Sequence, residues 1–457
     1  MRRLQILTAV LFVAGCVAAQ APVFAASAKV EKEGYIPEPM PAGFQVINTE
    51  LEGNVFADAT GHTMYKWPVN NLRNGNAGEG AGIPSCYNVK IRETAGFTSP
   101  YPAGNILPDV DNRLTCTQEW PPVYAAADSK PVGNFTILTR TDGTKQWAYK
   151  GYALYTSHLD AAPGDTNGGT FRRGRDPVSH GAERDPVGPA SEVPPQFAVT
   201  SKALGRMLSD AKGPSVYTYD RDTATKSNCV DACLNDWTPI IAPDSVVLKG
   251  EWSIVIRPGG ERQWAFRGKP LYKYVQDSKV RSYDGADVPG WHNVFLQRAP
   301  SAPAGFQVVD TNGGQVLTDR NGKTLYTFNC VEDTADTLYC DNPTSAQEYR
   351  WAMCGGGDPA RCLKTFPYVV ADKNDKSLSR AWTVMEINPK TGRVATGKPD
   401  ALRVWAYRGR PIYTFVEDKQ PGDIIADGWG QDHGARNGFM AFWIRDVFGG
   451  NDGGGID

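Results

Sequence analysis

The sequence predicts a mainly β protein of three homologous small antiparallel β domains in tandem, hairpin-rich and disulfide-stabilised. A ten-residue string carries most of that expectation. Gln146-Trp147-Ala148-Tyr149-Lys150-Gly151-Tyr152-Ala153-Leu154-Tyr155 returns as Gln263-Trp264-Ala265-Phe266-Arg267-Gly268-Lys269-Pro270-Leu271-Tyr272 and as Val404-Trp405-Ala406-Tyr407-Arg408-Gly409-Arg410-Pro411-Ile412-Tyr413. Likeness at that level over three copies cannot come from composition, so the chain is a repeat protein. Composition agrees: Gly 48 and Pro 33 exceed what helix-rich chains carry, and aromatic residues at 11% supply apolar area for small β cores. A length of 457 residues also suggests about three domains.

Each unit opens on an apolar β arm, Gly43-Phe44-Gln45-Val46-Ile47, Gln196-Phe197-Ala198-Val199 or Gly305-Phe306-Gln307-Val308-Val309. A hairpin signal follows, clearest at Asp319-Arg320-Asn321-Gly322 between two β-prone arms, because Asn-Gly supplies the positive backbone angles of a tight turn. Next comes a loop of variable length whose closing cysteine stands four residues before an aromatic: Cys116 and Trp120, Cys233 and Trp237, Cys362 and Phe366. A further arm (Phe135-Thr136-Ile137-Leu138, Trp252 to Ile256, or Trp382 to Met385) then leads into the repeated string. Within the string, Lys150-Gly151, Arg267-Gly268 and Arg408-Gly409 read as two-residue hairpin loops. That register sets Trp147 across from Leu154 on one face and Gln146 across from Tyr155 on the other, so both faces carry bulk. Pro270 and Pro411 fall opposite Ala265 and Ala406, and since proline cannot donate to a ladder, that arm should be an edge or bulged there.

Units two and three close on an aromatic arm, Trp291 to Leu296 and Phe439 to Ile444. The first unit shows none; its place is taken by an Arg-, Pro- and Gly-rich stretch, read as a linker. The expected organisation is an export signal over 1–28, repeat domains over 42–170, 196–300 and 303–447, a linker over 171–195 and a disordered tail over 448–457. Unequal linkers favour domains strung as beads over domains packed about a threefold axis.

A formal charge of −2 is no electrostatic footprint of a nucleic-acid binder. Arg2 and Arg3 followed by an apolar run form an export signal with two competing ends. Val13-Ala14-Gly15-Cys16 suits a lipoprotein signal that would lipidate Cys16, and Val23-Phe24-Ala25 or Ala26-Ser27-Ala28 suits ordinary signal peptidase. After Cys16 the remaining cysteines are even in number, which in an oxidising compartment favours disulfides. The expected pairs are Cys86 with Cys116, Cys229 with Cys233, Cys330 with Cys340 and Cys354 with Cys362; the last four cysteines allow three connectivities. No later segment is apolar enough to span a membrane, so membrane contact would come only through the lipid anchor.

Against this background the motifs resemble those of a known family. Tyr217-Thr218-Tyr219-Asp220-Arg221-Asp222, Tyr272 to Asp277 and Tyr413 to Asp418 each carry Tyr-x-(Phe/Trp/Tyr)-x-x-Asp, and Ser227 to Trp237 carries Ser-Asn-Cys-x-x-x-Cys-x-x-x-Trp. Gly164-Asp165 and Gly422-Asp423 follow the second motif of their units. The chain is similar in these respects to the exported bacterial proteins, many of them lipoproteins, called secreted repeats. It departs where Tyr65-x-Trp67 ends in Asn70, where Tyr326-x-Phe328 ends in Val331, and where Ser157 stands between Tyr155 and Asp160. The resemblance implies location and architecture, with no assigned reaction.

Candidate ligand-binding residues are Tyr155, Tyr272 and Tyr413, on the face opposite the tryptophans, and the motif aspartates Asp222, Asp277 and Asp418. The alternative for the tyrosine face is a second core. For the aspartates it is turn-forming carboxylates that accept from backbone N–H groups. Trp147, Trp264 and Trp405 are expected in cores. Cys229-x-x-x-Cys233 has a copper-carrier spacing, but no histidine lies near it in sequence, so a disulfide is expected and no metal site is assigned. Nucleophile elbow, zinc His pairs and phosphate loops are absent. Acid pairs such as Asp160 with Asp165 and Asp418 with Asp423 suit calcium somewhat better than glycosidic cleavage, so no cofactor other than calcium comes into question. The expected function is binding or scaffolding at the cell envelope with an envelope protein or a saccharide as partner. Two alternatives stand: a periplasmic redox or metal-handling accessory using Cys229 and Cys233, and a carbohydrate-active enzyme using the loop aspartates.

Overall fold

The computed structural model describes residues 31–67, 79–89, 114–168, 185–277, 283–330, 343, 347–431 and 437–446. The export signal with Cys16, Asn70, Val331, Cys340, most of the expected linker and the tail lie outside the described residues.

The second repeat shows the plan. Phe197–Lys202 and Gly205–Asp210 form a hairpin with Phe197 opposite Asp210, and the chain continues into the short strand Tyr217–Tyr219, the disulfide loop and Trp237–Pro239. The second half repeats that path: hairpin Trp252–Ile256 with Arg262–Phe266, a return through Lys269–Pro270, then Tyr272–Tyr274, a loop, and Trp291–Asn293. The two halves meet antiparallel at one residue pair, Tyr217 opposite Tyr272. Around that pair the contacts are reciprocal. Trp237 of the first half lies opposite Tyr274 of the second, and Trp291 of the second opposite Tyr219 of the first. Each repeat is therefore two half-repeats about a local twofold axis. The Trp237 and Trp291 rings, one from each half, stack at 3.5 Å and 2°.

Repeat three follows the same plan, with Tyr326 opposite Tyr413 and with Phe366 and Phe439 stacked at 3.6 Å. Repeat one has Tyr65 bridged to Tyr155. Its closing arm exists after all. Asp185–Pro186, within the stretch expected to be a linker, pairs with Tyr65–Lys66, and the buried Val187 exchanges hydrogen bonds with Phe56 and Met64. A two-residue strand containing proline carries no periodicity for sequence reasoning to detect.

The hairpin loops form as expected. Lys150, Arg267 and Arg408 take φ of 50°, 49° and 50°, each followed by glycine at positive φ, the mirror-image turn that matches strand twist. Pro270 and Pro411 pair with Ala265 and Ala406. Pro270 lies on an edge strand, whereas Pro411 belongs to a strand inside a six-stranded sheet. That strand pairs on one side through Pro411 and on the other through Ile412 and Tyr413, so the proline itself never has to donate inward.

Each repeat holds two cores. On the tryptophan side, Trp147 packs with Phe56, Phe135 and Leu154, Trp264 with Leu208, Trp252 and Leu271, and Trp405 with Leu317, Trp382 and Ile412. On the other face Tyr65 and Tyr155, Tyr217 and Tyr272, and Tyr326 and Tyr413 form three further clusters with the disulfide loops. Three expected disulfides are in place, Cys86–Cys116, Cys229–Cys233 and Cys354–Cys362. The third repeat's loop also holds two helices, Glu348–Gly355 and Pro359–Thr365, the latter capped by Asp358 with proline at its first turn.

The beads arrangement is overturned: the described residues form one compact unit in which every repeat touches both others. Gln297 of repeat two donates to the Thr49 carbonyl of repeat one, and Tyr283 of repeat two donates to the Ile444 carbonyl of repeat three (2.7 Å). Repeat one reaches repeat three through Glu52–Arg408, buried on both sides, and Asp165–Arg380 (2.6 Å). Linker length limits reach but says nothing about whether repeat surfaces adhere.

Candidate functional site

The motif residues converge at the half-repeat junctions, and they do so crosswise. Tyr217 of one motif donates its hydroxyl to Asp277 of the other, while Tyr272 donates back to Asp222 (2.7 Å). Tyr65 donates to Asp160 (2.6 Å) and Tyr326 to Asp418 (2.8 Å). In repeat one the reciprocal bond from Tyr155 goes to Glu79, a carboxylate beyond Asn70, where the motif lacks its acid. The second oxygen of each aspartate accepts a backbone N–H further along its own loop: Asn167 to Asp160, Asn228 to Asp222, Asp284 to Asp277 and Ile425 to Asp418. Each aspartate is thus a staple, closing its own loop with one oxygen and tying it to the opposite half with the other.

Burial decides what this arrangement can do. Tyr155, Tyr272 and Tyr413 are 0%, 0% and 2% exposed, and Asp222, Asp277 and Asp418 are 4%, 7% and 1% exposed. The expected ligand-binding tyrosine face is therefore a second core, because the two halves close over it, and the motif aspartates spend their oxygens internally. Of the two structural readings, the turn reading is modified: the carboxylates accept from N–H groups six or seven residues on, closing loops rather than tight Asx turns. Burial holds Asp160 up at about 7 and outweighs the Tyr65 and Asn167 bonds that favour its charge. Burial likewise raises Asp222 and Asp418 above the usual carboxylate range, and raises the Tyr217 and Tyr326 hydroxyls beside their carboxylates.

A buried arginine anchors the disulfide loops from beneath. Arg257 donates to the Cys229 carbonyl (2.9 Å), to Ser227 (2.6 Å) and to Gln263 (2.9 Å), and Ser227 shares a hydrogen bond with Tyr272. Arg140 does the same in repeat one with Cys86 and Gln146. Sequence reasoning missed these arginines and Glu79. A signal existed for the arginines, since each stands six residues before the glutamine of the repeated string. In repeat three valine replaces that glutamine, and Arg350 from the cysteine loop lies over the Tyr413 ring and donates to Tyr368 (2.9 Å).

The acid pairs are splayed apart in function. Asp160 faces Tyr65, while Asp165 accepts from Ala162 N–H and meets Arg380; Asp418 faces Tyr326, while Asp423 accepts from Lys419 and Gln420 N–H. Among the described residues no group of three or more His, Cys, Asp or Glu converges as a metal site, and no described helix is long and apolar enough to cross a membrane.

Fold and staples together define a tandem β repeat protein whose signature residues hold each repeat closed. A family described as a secreted repeat of unknown function matches residues 136–172, 198–241, 253–294 and 398–432. Four stretches of the chain thus match a secreted repeat, and that description supports an exported protein. Each matched stretch is one half-repeat with one staple aspartate, so the unit of the family is the half. The unmatched halves are those whose motifs end in Asn70 and Val331. No curated protein and no solved structure matches the chain.

Proposed function

We propose that this exported protein is a non-catalytic scaffold of the cell envelope, a stiff three-repeat body that presents variable loops to an envelope partner. The observation that supports it is the use of the motif itself: the tyrosines and the carboxylates that recur through the chain pair with one another inside the repeats, and the buried arginines hold the cysteine loops. What varies between repeats is the cysteine loops on that scaffold, where binding specificity is normally placed. The lipoprotein reading gives the body its place, with Cys16 as the lipidated N-terminus in the periplasm.

Three measurements test this. Cross-linking in intact cells through reagents placed in the three cysteine loops should give a discrete protein adduct, and uniform absence of one would sink the scaffold reading. Mass spectrometry of the mature N-terminus should find a diacylated Cys16, and a start near residue 26 or 29 would replace the anchor with ordinary secretion. Saccharide turnover by the purified protein that disappeared in Asp160→Asn or Asp418→Asn would restore the enzyme reading.

A further inference from the structure

The tip of the first hairpin of repeat one, between Gln45–Thr49 and Gly53–Ala57, leaves its own repeat. Leu51 is buried in the tryptophan-side core of repeat three with Leu317, Trp382, Trp405 and Phe442. The acids on either side of it are both engaged: Glu50 accepts from the Ala381 N–H (3.0 Å), and Glu52 pairs with Arg408 where both side chains are buried. These contacts seat an acid, a hydrophobe and an acid in a socket made by one strand start and one basic hairpin residue.

The other repeats have the same socket sealed by different segments. In repeat one the position equivalent to Ala381 is Asn134, since its carbonyl likewise accepts the hairpin N–H, and it donates to Glu38 (2.6 Å) while Met40 packs on the core below. In repeat two Arg267 pairs with Glu31 (2.7 Å), the Trp252 indole donates to the Glu192 carbonyl (2.9 Å), and Val193 packs on the core. The seal on repeat one, and Glu192 and Val193 on repeat two, come from chain directly continuous with the repeats they cover, while Glu31 reaches repeat two from ahead of repeat one. The seal on repeat three comes from a repeat that is not its neighbour in sequence.

We infer that Glu50-Leu51-Glu52 is a clasp, by which repeat one closes the three repeats on one another and at which the body opens without any repeat unfolding. Repeats one and two stay joined by the segment from Glu31 to Glu38, which also ties Glu33 to Arg206, and repeats two and three by the short chain before Pro303. The clasp joins the two repeats that no linker holds together.

Charge reversal tests it. Glu52→Arg and Arg408→Glu singly should raise the radius of gyration in small-angle scattering above the roughly 22 Å of a compact chain of this length. Amide protection at Ala381, whose N–H the clasp holds, should fall about tenfold or more, while residues 252–266 of repeat two keep theirs. The double variant carrying both reversals should restore the wild-type radius. An unchanged radius in both single variants overturns the clasp. So does loss of protection in all three repeats, which would make Leu51 an ordinary part of one indivisible core.

Discussion

Each staple aspartate divides its two oxygens between a tyrosine hydroxyl and a backbone N–H, and that division makes single-residue predictions sharp. Tyr217→Phe leaves the Asp277 carboxylate buried beside an apolar ring, at a cost of about 1–3 kcal/mol in denaturant unfolding. Adding Asp277→Asn should recover part of it, and strictly additive losses would show that the two side chains are not coupled. Asp160 makes a pH prediction. Its folded-state value of about 7 lies above the unfolded 3.8, so its contribution to stability is fully present below the unfolded value and is lost as pH rises through about 7. Ionising it in place costs roughly 4 kcal/mol by pH 8. Asparagine can donate to the Tyr65 oxygen and still accept from Asn167 N–H, as the neutral acid does. Asp160→Asn should therefore match or exceed wild type in melting temperature at pH 8 and flatten the profile between pH 5 and 8; parallel profiles would refute the buried neutral acid.

At the scale of the element, the disulfide loops differ in span, and so should their worth. Cys86–Cys116 closes a separation of 30 residues and Cys229–Cys233 one of 4, so chain entropy gives about 4 kcal/mol for the first and about 2 for the second. Paired serine replacement in each loop, followed by thermal melts, should preserve that order. The reverse order would mean that the Arg257 and Ser227 anchor, not loop closure, sets the stability of the second loop. Much at this scale was legible in the sequence. Lys-Gly and Arg-Gly turns fixed the register of three hairpins because only a mirror-image turn joins strands in two residues, and the even cysteine count in an exported chain pointed to the pairs. The closing strand Asp185–Pro186 was not legible, since pairing there rests on Val187 entering a core that exists only after Phe56 and Met64 are in place. Nor could Glu79 be found as the substitute for the acid missing at Asn70, because its link to Tyr155 spans 76 residues.

At the scale of the molecule the three repeats share contacts, so they should not unfold as independent beads. Deleting residues 31–41 removes Glu31, Glu33 and Glu38 from sites on repeats one and two at once. Calorimetry should then resolve at least one separate transition where the full chain shows a single dominant one; a single unchanged transition would show that the strap contributes nothing to coupling.

Spacing within a few residues and recurrence of one string were enough for the repeat, the hairpins, three of the disulfide pairs and the burial of the tryptophans. It took the tertiary structure to show that the two motifs of a repeat lock crosswise, that the tyrosine face is a core and not a binding surface, and that repeat one closes onto repeat three. Those outcomes depend on which distant surfaces meet. Tyr217 and Asp277, or Leu51 and Trp405, are far apart along the chain, and local pattern carries no information about a contact whose partners are brought together only by the fold.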